Sequence, residues 1–156
     1  MEDMGIIVDV SHLSDGGFYD VLKYTKKPFV ASHSNARSIS NVARNLSDEM
    51  IKKLAERGGL TGINFCSNFI QPTPYKEPTF TYIDDIVKHI KHIKNVGGIN
   101  SIALGSDFDG ISSTLELVDG SYMQLLAEAL LKNKFTYEEV EKIFYKNLLN
   151  LYKELL

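Results

Sequence analysis

With one cysteine, Cys66, in 156 residues, no disulfide framework can hold the chain together, and a hydrophobic core must do so. A lone thiol of this kind reads as a small buried apolar group rather than a nucleophile. It suits a reducing, cytoplasmic setting. No charge sign dominates either: 17 basic and 20 acidic residues, interspersed, leave a net charge of −3. That balance offers no basic stripe for nucleic acid or for an anionic membrane surface. No apolar run approaches the length needed to cross a bilayer, and the first residues lack the basic-then-apolar pattern of a targeting peptide. Proline is scarce, and three of the four, Pro72, Pro74 and Pro78, are gathered into one stretch. No linker, composition shift or low-complexity tract divides residues 1–156, so a single domain is expected, with 44% hydrophobic residues to fill its core.

What the chain does contain is a set of short apolar runs that end in chemistry. Gly-Ile-Ile-Val-Asp-Val-Ser runs into His12, Pro-Phe-Val-Ala-Ser into His33, and Ser-Ile-Ala-Leu-Gly-Ser into Asp107. Together with residues 60–65 these runs predict four buried parallel strands, at 5–12, 28–33, 60–65 and 101–107. Helical patterns separate them. Ser14 opens one helix, which ends before Pro28, and Ser47 opens another, which Gly58-Gly59 stops. A stripe of Ile83, Ile86, Val87, Ile90 and Ile93 predicts a third helix over 80–96. Residues 121–133 and 136–155 predict two more, the last opened by a Thr136/Glu139 capping box. The order is βα repeated, the pattern of an α/β barrel, whose active site lies at the carboxyl ends of the strands. A polar loop at 34–45 and a long one at 66–79 are expected on that face.

His12 and His33 are 21 residues apart, about one βα step, so both can end adjacent strands and meet. Paired imidazoles at strand ends suit an open zinc site, although either ring can equally be a hydrogen-bonded structural residue. Asp107 ends a strand in a small-residue setting, Gly-Ser-Asp-Phe-Asp-Gly; a turn-forming role fits Asp109 better. His89 and His92, flanked by lysines on a helix, read as a solvated face rather than a metal site. Arg44 alone would read as a surface ion pair.

Taken together, Val8-Asp9-Val10-Ser11-His12, Ala31-Ser32-His33-Ser34-Asn35-Ala36-Arg37, Ala43-Arg44-Asn45 and Gly105-Ser106-Asp107-Phe108-Asp109-Gly110 resemble the membrane dipeptidase (renal dipeptidase) family of zinc metallopeptidases. The likeness runs from the first strand to the Asn147-Leu148-Leu149 helix. It implies the carboxyl-terminal half, strands five to eight, of a (β/α)8 TIM barrel with a binuclear zinc site. It also implies metal-ligand roles for His12 and His33, a proton-transfer role for Asp107, and substrate-carboxylate binding by Arg44. The implied reaction is hydrolysis of dipeptides by a metal-bound hydroxide.

The family's His-x-Asp ligand pair, bridging glutamate and substrate-facing histidine belong to the amino-terminal half, and none of them precedes His12. The expectation is therefore a truncated or split product, inactive alone, with an incomplete ligand set. Its open strand edges are expected to drive self-association or pairing with a complementing amino-terminal half. Two other readings remain open: a non-catalytic remnant module, and another metal-dependent amidohydrolase on the same barrel.

Overall fold

The structure, a computed structural model, describes residues 1–72 and 80–155. Its centre is a three-stranded parallel sheet of β1 (Val30–Ala31), β2 (Leu60–Ile63) and β4 (Ile102–Leu104), in the order β1-β2-β4. Helices α1 (Asp15–Tyr24), α2 (Asp48–Glu56) and α4 (Ile83–Gly97) alternate with the strands. The register pairs Val30 with Leu60 and Thr61 with Ile102. Because successive side chains of a strand face opposite ways, Ala31, Ile63 and Ile102 join the main core, and Val30, Leu60 and Ala103 line the other face.

On the first face lies the apolar stripe of α4, with Ile83, Ile86, Val87, Ile90 and Ile93 all buried as their spacing requires. Phe18 of α1 meets Phe29 edge to face at 5.6 Å, and Met50, Ile51 and Leu54 of α2 complete that layer. Ser14 and Ser47 cap α1 and α2 by accepting hydrogen bonds from Gly17 N and Met50 N. The second face of the sheet is covered in part by Leu148, Leu151 and Leu155 of α7 (Asn147–Leu155).

Several expected boundaries move. The expected strand at 5–12 lies beside β1 but forms only one bridge, Asp9 to Val30, with Val10 N donating to Val30 O and Val30 N to Val8 O, and Gly5 and His12 at its ends are left-handed. Pairing stops there because the Asp9 carboxylate takes the next amides, Ser11 N and Ser32 N, out of the ladder. Residues 80–81 do not start the third helix. They form β3 (Phe80–Thr81), which pairs in parallel with β5 (Thr114–Leu115). Helix α4 then begins at Ile83, whose amide donates to the distant Glu116 side chain. Within the expected loop 66–79, Ser67–Ile70 is a helical turn, α3. Pro74 and Pro78 lie outside the described residues.

After α5 (Met123–Lys132), the expected last helix is interrupted. The capping box at Thr136/Glu139 is present and opens α6 (Tyr137–Glu141), but Lys142–Lys146 widens into a π-turn before α7. Asn147, the first residue beyond it, is buried and donates to both Ile99 O and Ile102 O at 2.8 Å. A wide turn of this kind lets a helix meet a local demand for one side chain. Here that demand is two carbonyls at the start of β4.

Replacing Asn147 with Ala would strand both carbonyls, and we expect it to lower unfolding stability by about 2 kcal/mol in urea titrations. An unchanged midpoint would show that the two bonds contribute nothing net.

Candidate active site

The strand ends gather their polar residues on one rim. His12 follows the first extended segment with φ 74°, and Asp107 follows β4 with φ 64°. Both backbones are in the left-handed region that side chains other than Asn, Asp and His rarely adopt. These turns lift the two side chains off the strand direction. His33 follows β1 after Ser32, and its position depends on space rather than on strain. The Ser32 carbonyl crosses over Gly62 and Gly105 so closely that a Cβ at either residue would collide with it.

His12 and His33 meet through their Nε2 atoms at 2.8 Å, with ring centroids 4.9 Å apart. Arg44 Nη2 lies 3.3 Å from the same His12 nitrogen, and the guanidinium stacks over the Phe69 ring at 5.2 Å. His33 is held from behind. Its Nδ1 is 2.7 Å from Ser32 Oγ, which is 2.5 Å from Asp9 Oδ2, and its backbone amide donates to Ser11 Oγ at 3.0 Å. Burial, followed by the nearby Arg44 charge, keeps the His33 imidazole below its ordinary pKa, while the Asp107 carboxylate pulls the other way. A neutral imidazole is the form that can ligate a metal. Among the described residues no group of three or more His, Cys, Asp or Glu side chains converges, so the rim offers two ring nitrogens as metal donors. At 2.8 Å the two rings share one hydrogen bond, with one Nε2 donating to the other; loss of that proton would leave two neutral donors suited to one divalent ion of the zinc type.

Asp107 is steadied through β2. Asn64 Nδ2 donates to Asp107 Oδ2 at 3.0 Å, while Asn64 Oδ1 accepts from Cys66 N at 2.7 Å. The backbone amide of Asn64 donates to Asn35 Oδ1, and Asn35 Nδ2 returns a bond to Asn64 O. Asn45 closes the set by accepting from Asn35 N and donating to Ser40 O and Phe69 O. All three asparagines are buried. They tie the loop that carries Arg44 to the strand that orients Asp107.

His89 also belongs to this scaffold, and here the expectation of a solvated face is wrong. The ring is fully buried, with Nε2 2.9 Å from Ile70 O and Nδ1 accepting from Ala36 N at 3.1 Å. The lysines flanking it turn outward and His89 turns inward, a distinction that spacing by three does not encode. His92 is half-buried on α4 and pairs with Asp48 at 2.7 Å. Cys66 is buried, as expected of a small apolar thiol. Ser32, Asp9, Asn64 and His89 are the functional neighbours that reading the sequence missed. Ser32 and Asp9 lie inside strand-like runs, where polar residues on alternate positions look like ordinary facing.

Comparison with known proteins adds an independent line. The family profile described as membrane dipeptidase (peptidase family M19) matches residues 1–155. An uncharacterised dipeptidase of Schizosaccharomyces pombe is 33% identical over 156 residues, covering 99% of this chain and 37% of its own length. An uncharacterised protein encoded in the pqqA 5′ region of Klebsiella pneumoniae is 33% identical over 146 residues, covering 94% of this chain and 54% of its own. Among solved structures, the dipeptidase AC, a metallopeptidase of family M19, superposes with a TM-score of 0.92 at 27% identity, over 99% of this chain and 45% of that one. A metallopeptidase from Rhodobacter sphaeroides, solved with a phosphinate mimic of the dipeptide L-Ala-D-Ala, gives 0.88 at 25% identity, over 99% and 44%. This chain thus spans about half or less of the length of these relatives.

The buried, neutral His89 makes the scaffold pH-dependent in a defined direction. Burial, opposed by the Ile70 carbonyl, pushes its pKa from 6.5 down to about 4. Well above pH 6.5 the ring is neutral in both the folded and unfolded chain. As the pH falls towards 4, the unfolded chain takes up a proton that the folded ring refuses, so stability declines by up to about 3 kcal/mol. Unfolding free energies measured at pH 7 and pH 4.5 should therefore differ less in His89→Gln than in the parent chain. An equal difference in both would place the titration elsewhere.

Proposed function

The chain belongs to the membrane dipeptidase family of metallopeptidases, peptidase family M19, and from that premise we propose that it forms strands five to eight of a (β/α)8 barrel and carries one side of a zinc dipeptidase site. The observation that carries this reading is the convergence of His12 Nε2 and His33 Nε2 at 2.8 Å, with Arg44 beside them, on the rim where parallel strands end. The half-barrel is supported by the parallel sheet with α2 and α4 packed on one face. On the other face, a hollow of about 260 Å³ lies among Ile7, Val30, Leu60, Ala103, Leu148 and Tyr152. The part of that face left uncovered by α7 suits the interior of a barrel whose remaining strands come from elsewhere, either an amino-terminal half or a second copy.

In this reading His12 and His33 hold zinc, which when bound supplies Lewis acidity and an activated water. The remaining chemistry falls to residues of the chain itself. Arg44 takes the free carboxylate of a dipeptide through its planar fork, and its stacking on Phe69 restricts the fork's direction. Asp107 accepts the proton of the attacking water and returns it to the leaving amine, with Oδ2 steadied by Asn64. The two roles are coupled through the asparagine set, because the loop holding Arg44 and the strand orienting Asp107 share hydrogen bonds. A two-histidine donor set is short of the three protein ligands usual at catalytic zinc, so full activity requires ligands from the complementing half.

We expect no appreciable dipeptidase activity from the chain alone with added zinc, and recovery when it is co-expressed with the amino-terminal half of a family member. In the complemented enzyme, His33→Ala and Asp107→Ala should each reduce kcat by at least about 100-fold, while Arg44→Ala should act mainly through KM. Hydrolysis by the lone chain that survives removal of both His12 and His33 would overturn the assignment.

A further inference from the structure

We propose that Asp9 and Ser32 form a carboxylate–hydroxyl relay that holds His33 in a single tautomer and so presents its Nε2 lone pair to the metal. The inference rests on the metal-site reading above and concerns two residues to which that reading gives no part.

The two short contacts at Ser32 Oγ order the protons on the Nδ1 side of His33. Ser32 Oγ has a single proton and two close partners, Asp9 Oδ2 at 2.5 Å and His33 Nδ1 at 2.7 Å. A carboxylate only accepts, so the hydroxyl proton goes to Asp9. Ser32 Oγ can then take part in the second contact only as an acceptor, which puts the imidazole proton on Nδ1. The lone pair of the neutral ring is therefore on Nε2, where in the metal-free chain it accepts from His12 Nε2–H at 2.8 Å, the position an ion would take over on loss of that proton. Metal-ligating histidines commonly donate their other ring N–H in this way to fix orientation and raise donor strength. Here a hydroxyl stands between the ring and the carboxylate.

The far end of the relay is anchored too. Asp9 Oδ1 accepts from Ser11 N at 3.0 Å and from Ser32 N at 2.9 Å, which fixes the carboxylate while leaving Oδ2 for the hydroxyl. Ser11 Oγ accepts from the His33 amide. Both the ring and the backbone of His33 thus refer back to the Asp9–Ser11 segment that also carries His12. The two metal-facing nitrogens are set relative to each other by hydrogen bonds made before any ion arrives. Asp9 and Ser32 are positioning residues: they act through His33 and need no contact with substrate.

The relay predicts a distinctive result for Asp9→Asn. The amide keeps an oxygen for Ser11 N and Ser32 N, but its NH2 must donate to Ser32 Oγ. The hydroxyl then turns and donates to His33 Nδ1, which moves the ring proton to Nε2, the metal-facing atom. Ser32→Ala removes the constraint altogether, and Ser32→Thr keeps a hydroxyl in place.

Nitrogen NMR of the metal-free chain labelled at histidine, with His33 assigned by comparison with His33→Ala, reads the tautomer directly. Calorimetric zinc titration of the same proteins reads the consequence. We expect the Nδ1–H form in the parent chain and in Ser32→Thr, the Nε2–H form in Asp9→Asn, and a mixture in Ser32→Ala. Zinc affinity should fall about 10- to 100-fold in Asp9→Asn and Ser32→Ala, with recovery in Ser32→Thr. Circular dichroism would identify any variant that fails to fold. An unchanged His33 tautomer in both Asp9→Asn and Ser32→Ala would overturn the relay, even if His33→Ala abolished zinc binding and so upheld the metal site. Zinc binding indifferent to His33→Ala would instead overturn the metal site, with the tautomer result still deciding the relay.

Discussion

The buried set of Asn35, Asn45 and Asn64 is the constraint on which the rim depends. A buried amide without partners is costly, so each asparagine has to find both donors and acceptors, and each finds them on a different segment. Asn35 binds the strand end at Asn64 and the helical turn at Phe69; Asn45 binds Asn35, Ser40 and Phe69; Asn64 binds Asn35, Cys66 and Asp107. The loop of residues 34–45 makes no helix or strand of its own, yet this mutual satisfaction leaves it little freedom. His89 extends the same logic from below, joining Ala36 to Ile70 through one neutral ring.

This arrangement explains why Arg44, carried by a loop, can serve a site that demands accuracy. Loops usually surrender precision for variability. Here the irregular segment buries Asn35 and Asn45 with their amides paired, so it behaves more like a strand than like a surface connection. Arg37 strengthens the same loop by gripping Asp15 of α1 through two bonds of 2.7 Å while donating to Asn45 O and Ala43 O. Such pairing has a cost in fragility: networks of this type are worth most when complete and are damaged by the loss of any member.

How much of this was legible in the sequence varies with the physics of each feature. Periodicity revealed the buried face of α4 and the helix starts at Ser14, Ser47 and Thr136, because apolar spacing and caps are local signals. The placement of His12 beside His33 was legible as well, since one βα step brings equivalent strand ends together. The β3–β5 pair, the π-turn before Asn147 and the burial of His89 were not. Each answers a partner distant in the chain: Thr114 for Phe80, the carbonyls of Ile99 and Ile102 for Asn147, Ala36 and Ile70 for His89. Ser32 and Asp9 escaped notice for a different reason. Their residue types are ordinary on a strand, and only the three-atom line through Ser32 Oγ gives them a joint meaning.

Gly62 and Gly105 lie at neither the metal-facing nitrogens nor the substrate-facing carboxylate, yet the Ser32 carbonyl runs across both. When natural variation is scored by chemical similarity, alanine in place of glycine passes as the mildest of changes. At these two positions the added methyl group would displace the peptide that delivers Ser32 and His33 to the rim. A genome survey that searched only for loss of histidines, arginine and aspartate would therefore count as intact some sequences whose site had been closed from behind by a single carbon.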